Sequence, residues 1–239
     1  MHFINYKHIF LDFLTDIVYN VSKQHLELIN MACNTIITIG RQYGSGGHEI
    51  GEKLANKLGI PFYDKQLLKI AAKESGIMEE VMKSMDEKPD KSFLYSLVTD
   101  PYTALNMNNF EHSLNYKVVA ASFDAIKKIA AEGPCVIIGR CADYALQDYE
   151  NCVNVFITAP IKVRCDRIMK RREIMYNEAM TAIKKTDKQR ESYHNFYATT
   201  KWGNVNSYDM CINSHALGID GTVDLLCDFV TEREKNIQS

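Results

Sequence analysis

The sequence predicts an α/β fold in which a parallel β-sheet is covered by helices on both faces. From Thr35 onward, short apolar runs of strand length alternate with segments of helical periodicity, the pattern of parallel sheets whose strands are buried on both faces. With 46% hydrophobic and 24% charged residues, the composition is that of a globular chain that can bury a core. At 239 residues, one domain with a modest addition fits better than two full domains.

Residues 1–33 are predicted to form an N-terminal helical extension, and the main domain is expected to span residues 34–239. Four apolar residues recur at intervals of four: Ile9, Phe13, Ile17 and Val21. A helix would place them on one face, which could dock on the main domain or on another subunit, so a homodimer is one option. The alternative is that translation begins at Met31 and that residues 1–30 are dispensable.

A strand, a glycine-rich loop and a helix open the main domain. TIITI (35–39) is an almost wholly apolar run of strand length. In HEIGEKLANKLG, apolar residues lie four apart at Ile50, Leu54 and Leu58, and Gly59 is placed to end the helix. A loop between a buried strand and a helix N-terminus can hold an anion with backbone N–H groups.

Four further strands are predicted, which gives five parallel strands. They are IPFY (60–63), CVIIG (135–139), VNVFI (153–157) and YDMCIN (208–213). Between the second and third, QLLKIAAKES and NYKVVAASFDAIKKIAAEG have helical patterns. This stretch predicts a helical insertion over one edge of the sheet.

Charge and cysteine content exclude several classes of function. The 28 Lys and Arg against 30 Asp and Glu give a net charge of -2, so nothing attracts the whole chain to nucleic acid or an anionic membrane. The seven cysteines are odd in number and form no CxxC, which argues against a disulfide framework or a zinc site. No apolar run approaches the roughly 20 residues of a membrane helix. We expect a cytoplasmic protein with reduced thiols, without a membrane or nucleic-acid partner.

The candidate phosphate loop is GRQYGSGGHEIG (40–51). The amides that can point inward are those of Gly44, Ser45, Gly46 and Gly47. The Walker A pattern GxxxxGK[ST] is not met, because Gly47 stands at the lysine. Arg41 is the nearest cation to replace it, since phosphoryl transfer needs positive charge at the transferred group. The alternative is a tight turn with Arg41 in solvent.

Two more strand ends carry polar residues. In GRCADYAL (139–146), Arg140 can form forked hydrogen bonds to a phosphate, and Asp143 can orient that arginine or accept from a base or ribose hydroxyl. The alternative is an internal Arg–Asp pair that caps the next helix. Asp64, directly after IPFY, can hold a cation through water, contact an acceptor or cap a helix.

One segment concentrates positive charge. Residues 162–190 contain ten basic and four acidic residues, a balance of +6. In IKVRCDRIMKRRE, Arg164, Arg167 and Arg171 lie three and four apart and share one helix face. A mobile lid that closes on phosphates is the functional interpretation. A solvated face or an RNA-binding surface is the alternative.

The segment that follows, 187–203, is predicted to be helical, with Asp187, Arg190, Tyr193 and Tyr197 at helical spacing. Trp202 is expected to pack in the core and not to contact a ligand. His48 and His194 have no spaced partners for metal or triad chemistry. From this reasoning alone, both histidines are interpreted as surface or capping residues.

Four stretches match a known family: ITIGRQYGSGGHEIGEKLANKLGIPFYDKQLL, EKPDKSFLYSL, CVIIGRCADYAL and WGNVNSYDMCINSHALGID. Together they resemble the cytidylate kinase-like family of P-loop proteins across about residues 34–235. The resemblance implies a P-loop NTPase fold with a five-stranded parallel sheet, a helical acceptor-binding insertion and an arginine-rich lid. It also implies phosphoryl transfer from ATP, with Mg²⁺, to CMP or dCMP.

The resemblance also implies roles for individual residues. The loop that binds the ATP phosphates would comprise Gly44, Ser45, Gly46, Gly47 and His48. Asp64, Arg140 and Asp143 would lie near the acceptor, and Arg164, Arg167, Arg171 and Arg190 would belong to the lid region. Taken together with the reasoning from the residues, the candidates to act on the transferred group are Arg41, Arg164, Arg167 and Arg171, and Arg190 is a further candidate to bind the acceptor. Gly47 departs from the family pattern. That departure supports the alternative of a nucleotide-binding or sensory protein of the same fold without efficient kinase activity.

Overall fold

The computed structural model describes residues 33–64 and 109–238. The described residues from Asn34 onward belong to one compact unit. The predicted extension at residues 1–33, apart from Cys33, and the predicted helix QLLKIAAKES lie outside the described residues. The domain boundary and the acceptor-binding insertion therefore stay predictions.

Within the described residues, five strands form one parallel sheet. They are β1 (Ile36–Arg41), β2 (Phe62–Tyr63), β3 (Val136–Ile138), β4 (Cys152–Thr158) and β5 (Met210–Asn213). Their order is β2-β3-β1-β4-β5, and each neighbouring pair is parallel. The five predicted parallel strands are confirmed. The runs IPFY and YDMCIN each begin two residues before their strand because they include part of the incoming loop.

The helices that the structure describes follow the strands in chain order. They are α1 (Gly47–Leu58), α2 (Asn109–Glu132), α3 (Ala142–Ala145), α4 (Ile161–Arg172), α5 (Tyr176–Tyr197) and α6 (Ser214–Gln238). The predicted end of α1 is confirmed, since Gly59 caps it in the left-handed region with φ 67°. Gly218 interrupts α6 with φ 72° and ψ -177°.

Alternating side chains of the central strand β1 face two different helices. Ile36 packs in a cluster with Ile126 and Ile129 of α2. Ile39 faces the other way, where a Cβ at Gly51 of α1 would meet its side chain at 3.2 Å. Successive strand residues point to opposite faces, so α2 covers one face of the sheet and α1 the other. The prediction of helices on both faces is confirmed.

The cysteines are present as free thiols. None of the seven cysteines forms a disulfide, and all except Cys211 are buried. Burial raises the pKa of the Cys152 thiol to about 12, with nearby carboxylates adding to the shift. Among the described helices, none has the length and apolarity required to cross a bilayer.

Candidate functional site

The candidate phosphate loop joins the end of β1 to the start of α1. Gly44 and Gly46 have φ values of 82° and 87°, in the region that favours glycine. A Cβ at Gly44 would lie 2.9 Å from the backbone oxygen of Arg164, and one at Gly46 would lie 2.5 Å from the side chain of Ile219. Gly44 therefore requires glycine for space as well as for conformation, whereas at Gly46 the ends of the Ile219 and Arg167 side chains would have to move. The loop curves tightly into the N-terminus of α1, the geometry of an anion site.

Ser45 lies at the centre of this loop and is fully buried. Its backbone carbonyl accepts a hydrogen bond from the Ser214 hydroxyl at 2.5 Å, and its N–H donates to the Gln42 carbonyl at 3.3 Å. Its own hydroxyl, Oγ, has no hydrogen-bond partner among the described residues. A buried hydroxyl without a partner costs free energy, and a phosphate oxygen in the loop is the kind of group that would satisfy it.

The side chain of Arg41 occupies the space beside Gly47. When residues 41–48 are aligned with the Walker A pattern, Arg41 stands at its first glycine and Gly47 at its lysine. A Cβ at Gly47 would lie 2.7 Å from Arg41 Cβ and 3.1 Å from Cγ. The Arg41 guanidinium extends to Gly139 at the end of β3, where any Cβ would overlap Nη1. One arginine thus links the phosphate loop to the end of the neighbouring strand.

Three arginines of α4 contact the loop, which confirms their predicted common face. Arg164 Nη1 donates to the Tyr43 carbonyl at 3.2 Å. Arg167 Nη1 donates to the Gly44 carbonyl at 2.8 Å. The Arg171 guanidinium lies 5.3 Å from the centre of the Tyr43 ring. In this structure Arg164 and Arg167 therefore bind the loop backbone.

Asp187 of α5 is a site residue that the sequence analysis missed. Its Oδ1 accepts from the Tyr43 N–H at 2.7 Å, and its Oδ2 pairs with Arg164 Nη1 at 2.5 Å. The Arg164 and Asp187 side chains are 9% and 16% exposed. Helical spacing placed Asp187 near Arg190, but its partner Tyr43 lies 144 positions away in the chain. This buried ion pair holds the start of the loop.

Next to the loop lies a pocket at the carboxyl ends of β1 and β3. The residues that line it are Gly40, Arg41, Gly139, Arg140, Cys141, Asp143, Arg190, Tyr193, His194, Trp202 and Tyr208. Four predicted site residues thus meet there: Arg41, Arg140, Asp143 and Arg190. Arg190 Nη1 also donates to the Arg41 carbonyl at 2.9 Å. Three arginines against one aspartate make this a pocket for an anion.

His194 corrects one sequence-based interpretation, because it is neither a surface nor a capping residue. It is 4% exposed, and its Nε2 lies 2.8 Å from Asp143 Oδ2. Trp202 packs edge-on against Phe156, as expected, and also lines the pocket. His48 does lie at the surface, with its side chain 55% exposed and 3.4 Å from Asp64 Oδ2. Neither His48 nor Asp64 lines the arginine pocket.

The backbone that presents Arg140 is strained. Gly139, Arg140 and Cys141 have successive φ values of 70°, 60° and 54°. For the two residues that are not glycine, the left-handed region costs about 1–2 kcal/mol each. Such strain is found mainly where a site requires a particular conformation. Here it places the Arg140 side chain, which is 8% exposed, in the wall of the pocket.

Burial keeps two other pocket groups in their neutral forms. It raises the pKa of the Cys141 thiol well above the ordinary value, and the negative charge of Asp143 adds to the shift. Burial also raises the pKa of the Tyr208 hydroxyl, again with a contribution from Asp143. Near neutral pH, both side chains therefore remain uncharged donors.

The described residues contain no group of three or more His, Cys, Asp or Glu side chains that could hold a metal ion. Asp64 is the one carboxylate predicted to act on a cation here. Magnesium in phosphoryl-transfer sites is commonly held by one or two carboxylates together with substrate phosphates and waters. The described residues are compatible with that kind of site, in which the protein supplies few of the ligands.

Comparisons with known proteins agree with this geometry. Residues 36–216 match the model of a family described as the cytidylate kinase-like family. A cytidylate kinase from Methanococcus aeolicus is 25% identical over 205 residues, which cover 84% of this chain and 99% of that protein. Among solved structures, an uncharacterized protein from Eubacterium ventriosum is 29% identical with a TM-score of 0.62, covering 82% of this chain and 98% of that one. A gluconokinase from Sinorhizobium meliloti has a TM-score of 0.50 at 14% identity, over 86% of this chain and 97% of its own, and indicates a shared fold alone.

Proposed function

Because the chain belongs to the cytidylate kinase-like family, we propose that it transfers a phosphoryl group from ATP to a pyrimidine nucleoside monophosphate, with CMP or dCMP as the acceptor. The family resemblance found in the sequence motifs is confirmed, and the five-stranded parallel sheet that it implies is present. Relatives that are 25% and 26% identical are named cytidylate kinases, which supports a kinase-like phosphotransferase. The pyrimidine acceptor and the roles of individual residues are parts of the proposal.

The main support for the proposal is the position of the Arg41 side chain. Its stem fills the space beside Gly47, and its guanidinium reaches Gly139 in the anion pocket. A positive charge is therefore present between the loop and the acceptor pocket although the loop has no lysine. Phosphoryl transfer depends chiefly on positioning and on charge stabilisation, and this arginine is placed to supply both.

The remaining groups divide between the donor and the acceptor. The loop from Gly44 to His48 would hold the ATP phosphates, and the Ser45 hydroxyl, which has no partner among the described residues, would bond to one of them. Arg140 and Arg190 would pair with the phosphate of the acceptor. Arg167 and Arg171 of α4 contact the loop and would turn toward the transferred group when nucleotide binds.

Arg164 takes a different role in this proposal. Its guanidinium is buried against Asp187 and the Tyr43 carbonyl, so it would support the loop and leave the phosphates to its neighbours on α4. When bound, Mg²⁺ would neutralise charge on the donor phosphates. Asp64 would contact it through water, and the nucleotide would supply the other ligands.

A coupled assay of ADP release tests the proposal. The full-length protein is supplied with ATP, Mg²⁺ and, in turn, CMP, dCMP, UMP, AMP and GMP. We expect turnover with CMP or dCMP and a loss of about 10²-fold or more in kcat for Arg41→Ala, the size seen when one charge-stabilising donor is removed. Arg172→Ala is the matched control, because Arg172 lies exposed on the same basic helix. Folded protein without turnover on any acceptor would refute the proposal.

A second candidate function has its own supporting observation. Arg164 and Arg167 donate to loop carbonyls. Gly47 stands at the position where the Walker A pattern has the lysine that reaches the phosphates. A chain that holds its loop in this way can bind a nucleotide without transferring phosphate and act as a sensor. Calorimetry that finds ATP or CMP binding in the absence of turnover would select this function.

A further inference from the structure

We propose that Asp143 is a catalytic base for phosphoryl transfer to a hydroxyl group, that His194 holds it in position, and that the acceptors of this protein include an alcohol carrying a carboxylate or phosphate. The inference rests on the proposed ATP-dependent transfer and adds a class of acceptor to it.

Asp143 and His194 form a buried pair within the arginine pocket. His194 Nε2 lies 2.8 Å from Asp143 Oδ2, and the two side chains are 5% and 12% exposed. Both line the pocket. Their hydrogen bond uses one carboxylate oxygen, Oδ2, and the proposal assigns the other, Oδ1, to the hydroxyl of the acceptor.

The second ring nitrogen of His194, Nδ1, indicates what the imidazole contributes beside Asp143. Nδ1 is buried and has no hydrogen-bond partner in the part of the chain that the structure describes. A buried polar atom without a partner destabilises the folded protein, so a histidine that serves stability alone is expected to pair both nitrogens. His194 pairs the nitrogen that faces Asp143. We therefore attribute the position of His194 to its hydrogen bond with the Asp143 carboxylate.

Transfer to a nucleoside monophosphate has no use for such a base. The attacking oxygen of a phosphate is already ionised, whereas a hydroxyl oxygen must lose its proton as it attacks. In protein kinases an aspartate accepts that proton from the substrate hydroxyl. A pocket carboxylate that a buried histidine holds in place is the corresponding feature here.

The charges around the pair fit a small anionic alcohol. Arg41, Arg140 and Arg190 line the same pocket, and an arginine can bind a carboxylate or a phosphate through two parallel hydrogen bonds. Arg190 and His194 lie four residues apart on α5, a rise of about 6 Å. In this proposal the anionic group of the acceptor lies at one of these arginines and its hydroxyl lies at Asp143.

In the proposed step, the hydroxyl oxygen of the alcohol attacks the γ-phosphorus of ATP. The bond between that phosphorus and the bridging β–γ oxygen breaks, and ADP leaves. The hydroxyl proton moves to Asp143 Oδ1 and passes to water after the products depart. ATP and the alcohol give ADP, a phosphate ester and one proton, and nothing is oxidised or reduced.

The test supplies full-length protein, ATP and Mg²⁺ with four alcohols, D-gluconate, D-glycerate, shikimate and glycerol 3-phosphate, and with CMP for comparison. ADP release is measured together with ³¹P NMR of the products. We expect a phosphate ester from at least one of the four. For that alcohol, Asp143→Asn should lower kcat by about 10²- to 10⁴-fold, the usual share of a general base. Asp148→Asn, an exposed aspartate nearby in the chain, should leave kcat unchanged.

Two further variants separate catalysis from support of the fold. Added formate should restore part of the lost kcat in Asp143→Gly, because it can supply a carboxylate to the vacated space. His194→Gln, which keeps an N–H donor, should retain more activity than His194→Ala. Turnover of CMP with none of the four alcohols would overturn the inference and leave the proposed function standing. Unchanged kcat in Asp143→Asn would overturn it as well, and absence of ADP release with every acceptor would overturn both proposals.

Discussion

Restoring a lysine at position 47 tests directly whether Arg41 has taken its place. A Cβ at residue 47 would lie 2.7 Å from Arg41 Cβ, 3.1 Å from Cγ and 3.4 Å from Ile157 Cβ. The first contact joins two atoms close to the backbone, which a change of rotamer cannot relieve. Overpacking of this kind costs about 1–3 kcal/mol. For a domain of this size, each 1 kcal/mol lowers Tm by about 2–4 °C, so Gly47→Lys should lower it by about 2–12 °C.

The double variant Arg41→Gly/Gly47→Lys should recover most of that loss, because it removes the stem that the new side chain meets. It also recreates the GxxxxGK pattern at residues 41–47. The matched control is Arg41→Ala/Gly47→Lys, which keeps the Cβ at residue 41 and with it the 2.7 Å contact. Residues in contact typically show coupling energies of about 0.5–3 kcal/mol in a double-mutant cycle.

Thermal unfolding of the four proteins in the cycle measures the coupling, and the ADP-release assay measures its consequence for transfer. Arg41→Gly alone should lose transfer, and adding Gly47→Lys should regain part of it. Gly47→Lys with the Tm of the parent protein and no coupling to Arg41 would refute the reasoning. A control that recovers stability as fully as the double variant would also refute it.

Three smaller predictions follow from the site and the thiols. Arg140→Gly and Arg140→Ala should both impair transfer. The glycine variant should be the more stable of the two by about 1–2 kcal/mol, because residue 140 has a φ of 60°. A comparison of their Tm values would detect this difference, and equal Tm values would contradict it. Asp187→Asn should lower the free energy of unfolding by about 3–5 kcal/mol, because it leaves the buried Arg164 without its ion-pair partner. The control Glu232→Gln, at an exposed pair, should change it by less than about 1 kcal/mol. Similar effects of the two variants would rule out a supporting role for Asp187. Iodoacetamide should modify the native protein first at Cys211, the one exposed cysteine. The reaction should be slow at neutral pH and faster as pH rises, because partial burial raises the pKa of that thiol. Mass spectrometry that finds fast, pH-independent modification would contradict this.

Features that depend on neighbouring residues could be predicted from the sequence. The apolar run before the phosphate loop, the glycine that ends α1 and the arginines three and four apart on α4 are local patterns, and the structure has each as expected. The relevant physics is also local, since strand burial, helix capping and helical periodicity act within a few residues.

Features that depend on packing between distant segments could not be predicted. His194 and Asp143 are 51 positions apart, and Asp187 and Tyr43 are 144 positions apart. Spacing along the chain carries no sign of such a pair, so His194 was assigned to the surface. The space beside Gly47 is a further case. The pattern showed that a lysine was missing, but the packing of the Arg41 stem against Gly47 appears only when β1 and α1 are placed together.

Helix α5 supports both halves of the site through three side chains on successive turns. Asp187 accepts from the Tyr43 N–H at the loop, Arg190 donates to the Arg41 carbonyl at the end of β1, and His194 holds Asp143 in the pocket. The seven steps from residue 187 to residue 194 rise about 10 Å, so one helix carries contacts both to the candidate phosphate loop and to the arginine pocket. A displacement of α5 would therefore move its contacts to the loop and its contacts to the pocket together. In a site where transfer depends on the alignment of two bound groups, this arrangement makes α5 the element on which that alignment depends.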